Sequence, residues 1–328
     1  MAKKASSVLK FSLSLLLAAA LLWFAFRGLE WREFADGLKA TEWGWIVVSL
    51  AAGLAALVLR AERWRLQLKT LSPEVGRLMI WDASNIGNFL NIVIPGSGEF
   101  VRCAEVTTVT KRYDRTFGTI LLERAWDILA ILLLLVTAVI SNGNVLGPFV
   151  KEHVVGPLAA AMSCSIRIVF AGILAAFSAG IVLIWRKRHS SAFCGKCVEA
   201  IRGIVDGIRA FGSIDGKWLF LVYTIGIWTL YIIVTWATFL AIPGLEGLSF
   251  YDALFISAIG NIASVIPTPG NLGAYHYLVG LSISTIYLGA VEIASSALLC
   301  ATLSHGSHAL LIIILAIASY ISRAIRKQ

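Results

Sequence analysis

Apolar positions run unbroken for long distances along this chain, and charged positions gather between the runs. Stretches of about 18 or more apolar residues read as membrane-crossing helices. They fall near 8–27, 43–60, 116–140, 166–185, 218–241 and 291–320. Two further apolar stretches, 78–95 and 253–289, are interrupted. Each contains Ile-Gly-Asn, at 86–88 and again at 259–261, and each then breaks, at IPGSGE (94–99) and at IPTPGNLG (266–273). Pro95, Pro267 and Pro269 cannot donate to a helical ladder, and Gly96, Gly98, Gly270 and Gly273 permit tight turns. Both segments are therefore expected to stop being helical at membrane depth. Backbone can do that only where protein or a water-filled cavity satisfies its polar groups.

Composition agrees with this reading: 58% of the 328 residues are apolar and 14% charged, with a mean hydropathy of +0.82. Ordinary soluble domains carry about 25% charged residues. The N-terminal run from Val8 to Phe26 is too long for a signal-peptide core and has no small-residue cleavage site after it, so it reads as a retained first span.

Short cytoplasmic loops collect Lys and Arg. That rule puts Lys3, Lys4 and Lys10, the loop with Arg60, Arg63, Arg65, Lys69 and Arg77, the loop from Arg186 to Lys217, and the tail with Arg323, Arg326 and Lys327 inside the cell. The segments 28–42, 141–165 and 242–250 go outside. With both termini inside, the six spans alternate correctly only if each broken segment enters and leaves on one side, the first from the cytoplasm and the second from outside. The expected fold is an all-α polytopic membrane protein, with about six full spans and two re-entrant hairpins arranged as an inverted repeat. It forms a single integral domain over 1–328, with one repeat near 8–140 and the other near 166–320. Discontinuous helices that meet at the midplane are how many transporters build a substrate site.

The strings NFLNIVIPGSGEFVR and LLERAWDILAILLLL, with RAERWRLQL upstream and IPTPGNLGAYHY downstream, resemble the transmembrane, flippase-like region of lysylphosphatidylglycerol synthases and their stand-alone relatives. The resemblance runs from about residue 10 to 320 and implies a lipid-translocase-like fold. In full-length synthases a soluble aminoacyl-transfer domain follows. Here the sequence stops at Gln328, so aminoacylation is not expected. On the family's motifs fall Pro95, Gly96, Gly98, Glu99 and Arg102, then Glu123, Arg124 and Asp127, then Pro269, Gly270, Leu272 and Gly273. Where the family usually carries a Glu shortly after the last glycine, this chain has His276.

These positions also carry chemistry of their own. Ionisable groups inside a membrane domain are costly and face a cavity or one another. Glu99 and Arg102 are three apart and share a helical face. Arg102 suits a lipid phosphate, which it can grip bidentately beside a half-helix N-terminus, or it snorkels as an interfacial anchor. Glu123 and Asp127 share a face, and Arg124 reaches Asp127 at i, i+3. One reading has Arg124 neutralise Asp127 to fix packing. The other has Glu123 line the cavity and handle a proton or a headgroup. Asn88 and Asn261, from the repeated triplets, and His276, able to titrate near neutral pH, complete the candidate set.

Other features carry less. Cys194 and Cys197 form a lone C-x-x-C in a loop expected to be cytoplasmic, where thiols stay reduced. His305 and His308 lack a third metal ligand and suit interhelical packing. Trp31, Trp43, Trp45, Trp218 and Arg63-Trp64-Arg65 fit interfacial belts, and 193–212 reads as an amphipathic surface helix. The net charge of +9 concentrates in short loops and points to anionic headgroups rather than nucleic acid. The expectation is a lipid or lipid-linked-headgroup translocase of the cytoplasmic (inner) membrane, without a cofactor or bound metal. It is not read as an enzyme, and small-residue faces near Ala51, Gly53 and Ala56 suit packing within the fold or across a homo-oligomer. The alternatives are a membrane transferase acting on a polyprenyl or glycerolipid phosphate, and a non-transporting accessory protein of envelope-lipid synthesis.

Overall fold

The computed structural model describes residues 2–141, 143, 202, 212, 214, 216–264, 266–290 and 293–326. The expected span at 166–185, the amphipathic segment 193–212 and the Cys194/Cys197 pair lie outside the described residues, apart from single positions of that segment. Among the described residues every regular element is helical and there is no strand. Ten α-helices follow in order: α1 Ala2–Phe26, α2 Trp31–Lys39, α3 Trp43–Lys69, α4 Arg77–Val93, α5 Ser97–Thr110, α6 Tyr113–Ser141, α7 Lys217–Ala241, α8 Phe250–Ala263, α9 Ala274–Ser282 and α10 Ser295–Arg326.

Three of them, α3, α7 and α10, are long and apolar enough to cross a membrane, and α1 with α2, bent by 86° between them, makes a fourth candidate. The expected span 43–60 continues as helix to Lys69. Residues 60–69 are Arg, Ala, Glu, Trp, Leu, Gln and Lys, nearly all good helix formers, and the buried stripe Ser49, Ala52, Gly53, Ala56 carries on through Arg63, Trp64 and Gln67 at spacings of three and four. The basic segment taken for a loop is thus the last third of a core helix. The segment 28–42, expected to be a plain outer loop, holds α2.

Both interrupted stretches break where proline and glycine stand. α4 ends at Val93, the chain turns with Gly96 left-handed at φ 77°, and α5 starts at Ser97. The Ser97 hydroxyl donates to the carbonyls of Leu90 (3.1 Å) and Ile94 (2.8 Å), beside the backbone N–H groups of Ile94 and Ser97 that those carbonyls also accept, and the Gly98 N–H finds Asn91 Oδ1 at 2.8 Å. α8 starts at a capping box of Ser249 and Asp252 and ends at Ala263. A single 3₁₀ turn, Pro269–Asn271, then leads into α9, which finishes in a π turn at Ile283–Tyr287. Ser14 of α1 donates to the Pro267 carbonyl, so α1 covers the second break.

Packing ties the halves together. α3 lies antiparallel along α7: the Ser49 hydroxyl reaches the Val234 carbonyl at 3.1 Å near one end, and Arg63 reaches Thr224 at 3.4 Å near the other. α4 packs on α10 and α8 on α6, so each broken pair lies against the long helix of the other half. The second break also touches the first. The 3₁₀ turn meets α4 so closely that a Cβ built on Gly270 would stand 3.0 Å from Ile92 Cγ2.

Candidate functional site

Three helices bring seven charged side chains together beside the first break. α3 supplies Arg60 and Arg63, α5 supplies Glu99 and Arg102, and α6 supplies Glu123, Arg124 and Asp127. Arg63 Nη2 lies 2.8 Å from Asp127 Oδ1 and 3.7 Å from Glu123 Oε1, and Arg102 Nη2 lies 2.6 Å from Glu123 Oε2. Arg124 pairs with Glu99 and stands 3.8 Å from Asp127 Oδ2. Arg60 Nη1 donates to the Tyr231 phenol of α7 at 3.1 Å.

The Arg63 and Glu123 side chains are 0% and 1% exposed, whereas Arg124 is 43% exposed, so the group is sealed on one side and open on the other. Apolar walls hold the buried part. The Arg102 guanidinium lies 4.6 Å from the Trp64 ring centre and Arg63 lies 5.7 Å from that of Phe220, geometries in which the ring face stabilises a cation. Trp64 is fixed in turn by its indole N–H, which donates to the Thr119 hydroxyl at 3.0 Å.

Glu99, Arg102, Glu123, Arg124 and Asp127 are thus brought together, but with different partners from those the spacing suggested. Arg124 takes Glu99 first, and Asp127 is held mainly by Arg63. The N-terminus of α5, offered above as a phosphate cradle, already has acceptors. Asn91 Oδ1 takes the Gly98 N–H, and the Glu99 carboxylate faces its own N–H and the Asn91 side chain. Asn91 rather than Asn88 therefore satisfies the break. Asn261 donates within its own helix, to the Ser257 carbonyl at 2.9 Å.

The second break gathers a different set. Pro269, Gly270 and Gly273 shape the turn, with φ of 56° and 80° at the two glycines, and Pro267 precedes it. His276 is buried, with its ring 5.3 Å from His305 and 6.1 Å from Phe26 and with Nδ1 unpartnered. His305 also meets the Tyr275 ring at 5.1 Å. His308 turns away, donates from Nδ1 to the Ser304 carbonyl (2.8 Å), and packs on Gly53 of α3. Among the described residues no three His, Cys, Asp or Glu side chains stand together as a metal site.

Sequence reasoning did not find Arg63, which it assigned to an interfacial belt. The signal was present, because Arg63 continues the buried stripe of α3. A second ionic group was also missed. Arg323 of α10 grips Glu105 of α5 through two bonds of 2.7 Å and lies 3.3 Å from Asp82 of α4, which also binds Arg326. Asn85 donates to Ser319 nearby at 3.0 Å. One guanidinium thus holds both limbs of the first broken pair. Because Glu105 and Arg323 are each about a quarter exposed, Glu105→Gln is expected to cost about 1 kcal/mol or less. Titrating the detergent-solubilised protein with SDS and comparing unfolding midpoints checks this.

Fold and site together define a membrane protein whose described residues form helices alone, with ion pairs held in its apolar interior. The family model for the lysylphosphatidylglycerol synthase TM region matches residues 11–321, nearly the whole chain, and the protein belongs to that family. No curated protein and no solved structure matches it.

Proposed function

We propose that this protein moves a phosphate-bearing lipid from one leaflet to the other, past the place where its two broken helix pairs meet. The observation that carries the reading is the contact of the Pro269–Asn271 turn with α4 at Ile92, because it joins two interruptions that are far apart in sequence. The order long helix, broken pair, long helix occurs twice, as α3, α4/α5, α6 and as α7, α8/α9, α10, and each broken pair leans on the other half's long helix. That exchange suits an inverted repeat in one integral domain, with re-entrant pairs facing each other between six spans.

Arg323 binds Asp82 near the start of α4 and Glu105 in the second half of α5, so both limbs open toward one end. Arg65 and Arg77, both bound to Glu62, add to the basic residues assigned to the cytoplasmic face of the inner membrane. In this reading Glu99, Arg102, Glu123 and Arg124 receive the headgroup, and the turn around Gly270 and Gly273 closes the path. The chain then acts without covalent chemistry. The family's name, which refers to synthesis of a lysylated phospholipid, agrees with a lipid as the cargo.

Two experiments test it. In proteoliposomes carrying headgroup-labelled phospholipid, the purified protein is expected to speed exposure of inner-leaflet label to an external quencher, with no divalent metal required. Equal rates with and without protein would sink the reading. In a background lacking native cysteines, Ser97→Cys is expected to react with an impermeant thiol reagent from the cytoplasmic side, and Asn271→Cys from the outside. Reaction of both from one side would remove the facing pairs.

A further inference from the structure

The seven charged groups beside the first break do not balance. Four guanidiniums, Arg60, Arg63, Arg102 and Arg124, face three carboxylates, Glu99, Glu123 and Asp127. Three of the arginines have a carboxylate within 4.0 Å. Arg60 has instead a neutral phenol, and the Tyr231 hydroxyl takes the one hydrogen bond its guanidinium makes to a described residue. Its nearest negative groups, Asp127 and Glu123, act only at longer range and are already paired with Arg63 and Arg102. Arg63 Nε and Arg102 Nε are buried without a hydrogen-bond partner. Glu99 Oε2 and Glu123 Oε1 also lack hydrogen bonds, but each belongs to a carboxylate that an arginine holds through its other oxygen.

Among the described residues Arg60 is thus a cation without a carboxylate within 4.0 Å; a charge so placed in an apolar domain attracts a counter-ion, and a guanidinium offers a phosphate two parallel N–H groups. We propose that Arg60, with Tyr231 beside it, is an anion subsite that takes one singly charged phosphate group and selects monoanionic phosphodiester headgroups over zwitterionic ones. One negative charge brings the group to neutrality. A zwitterionic headgroup brings the phosphate but also a cation, and leaves the surplus in place. This deepens the translocase reading, on which it rests for taking the phosphate from a lipid rather than from solution.

The test uses detergent-purified protein, whose thermal unfolding is followed by tryptophan fluorescence during titration with dihexanoyl phosphatidylglycerol, dihexanoyl phosphatidylcholine or sodium phosphate. The wild type is expected to be stabilised at about tenfold lower concentration of the anionic lipid than of the zwitterionic one. Arg60→Gln leaves three guanidiniums against three carboxylates, so its unfolding without lipid is expected to match the wild type while the preference disappears. Arg60→Lys, which restores the charge, is expected to restore part of the preference. Stabilisation by sodium phosphate alone, lost in Arg60→Gln, would keep the anion subsite and assign it to free phosphate. An undiminished preference in Arg60→Gln, or no effect of either anion on the wild type, would overturn the subsite. If lipid binding depends on Arg60 but no lipid crosses vesicle membranes, the translocase reading falls and the subsite stands.

Discussion

Replacing Glu123 by alanine is expected to destabilise the protein by about 3–5 kcal/mol, the usual cost of removing one partner from a buried ion pair. Its carboxylate is 1% exposed, holds Arg102 at 2.6 Å, and supports Arg63 at 3.7 Å. Without it, Arg102 keeps, among the described residues, the more distant Glu99, while Arg63 falls back on Asp127. Glu123→Gln keeps the shape and one acceptor and should lie between alanine and wild type. Asp127→Ala should cost less than Glu123→Ala, because Glu123 remains near Arg63. SDS-titrated unfolding measures all three. If Glu123→Ala unfolds within about 1 kcal/mol of wild type, the guanidiniums must be rehydrated by water, and the cluster is an aqueous cavity rather than a sealed one.

Gly98→Ala is the second large effect. An ideal Cβ there would stand 2.0 Å from the Gly87 carbonyl oxygen and 2.8 Å from Asn91 Cγ. Backbone cannot yield as a flexible side chain does, so the two limbs of the first broken pair would have to part by about 1 Å or more to restore ordinary contact. Parting them breaks the Gly98 N–H bond to Asn91 and draws Glu99 away from Arg124. The expected outcome is a loss of about 3 kcal/mol or more, read as collapse of the monodisperse peak in size-exclusion chromatography. Gly96→Ala is the control: its Cβ meets nothing within 4 Å, and only the left-handed backbone at φ 77° resists it, at about 1–2 kcal/mol. A Gly98→Ala protein as stable as wild type would mean that α4 and α5 do not touch at this point.

The two breaks were legible because proline and glycine act locally: Pro95 and Pro269 remove a helical hydrogen bond, and Gly96 and Gly270 take left-handed backbone that other residues resist. The charged positions of α5 and α6 were legible for a similar reason, since a carboxylate or guanidinium in an apolar run stands out by its cost. Partner choice was not legible. Helical spacing sees three or four residues ahead and so offered Arg124 to Asp127, whereas the residue that holds Asp127 is Arg63, 64 positions upstream. Asp82 was passed over because its partners on α10 are farther still. Arg63 was misread because charge bias was applied before periodicity. The stripe of small residues on α3 continues through it, and that pattern would have marked it as buried.

The ionic grip of α10 on the first broken pair bears on how the chain comes to be assembled. Asp82 and Glu105 leave the ribosome long before the arginines that neutralise them, which follow 244 and 218 positions later. Until then α4 and α5 lack these ionic partners, so the first broken pair reaches its final ionic pairing only when the closing turns of α10 arrive.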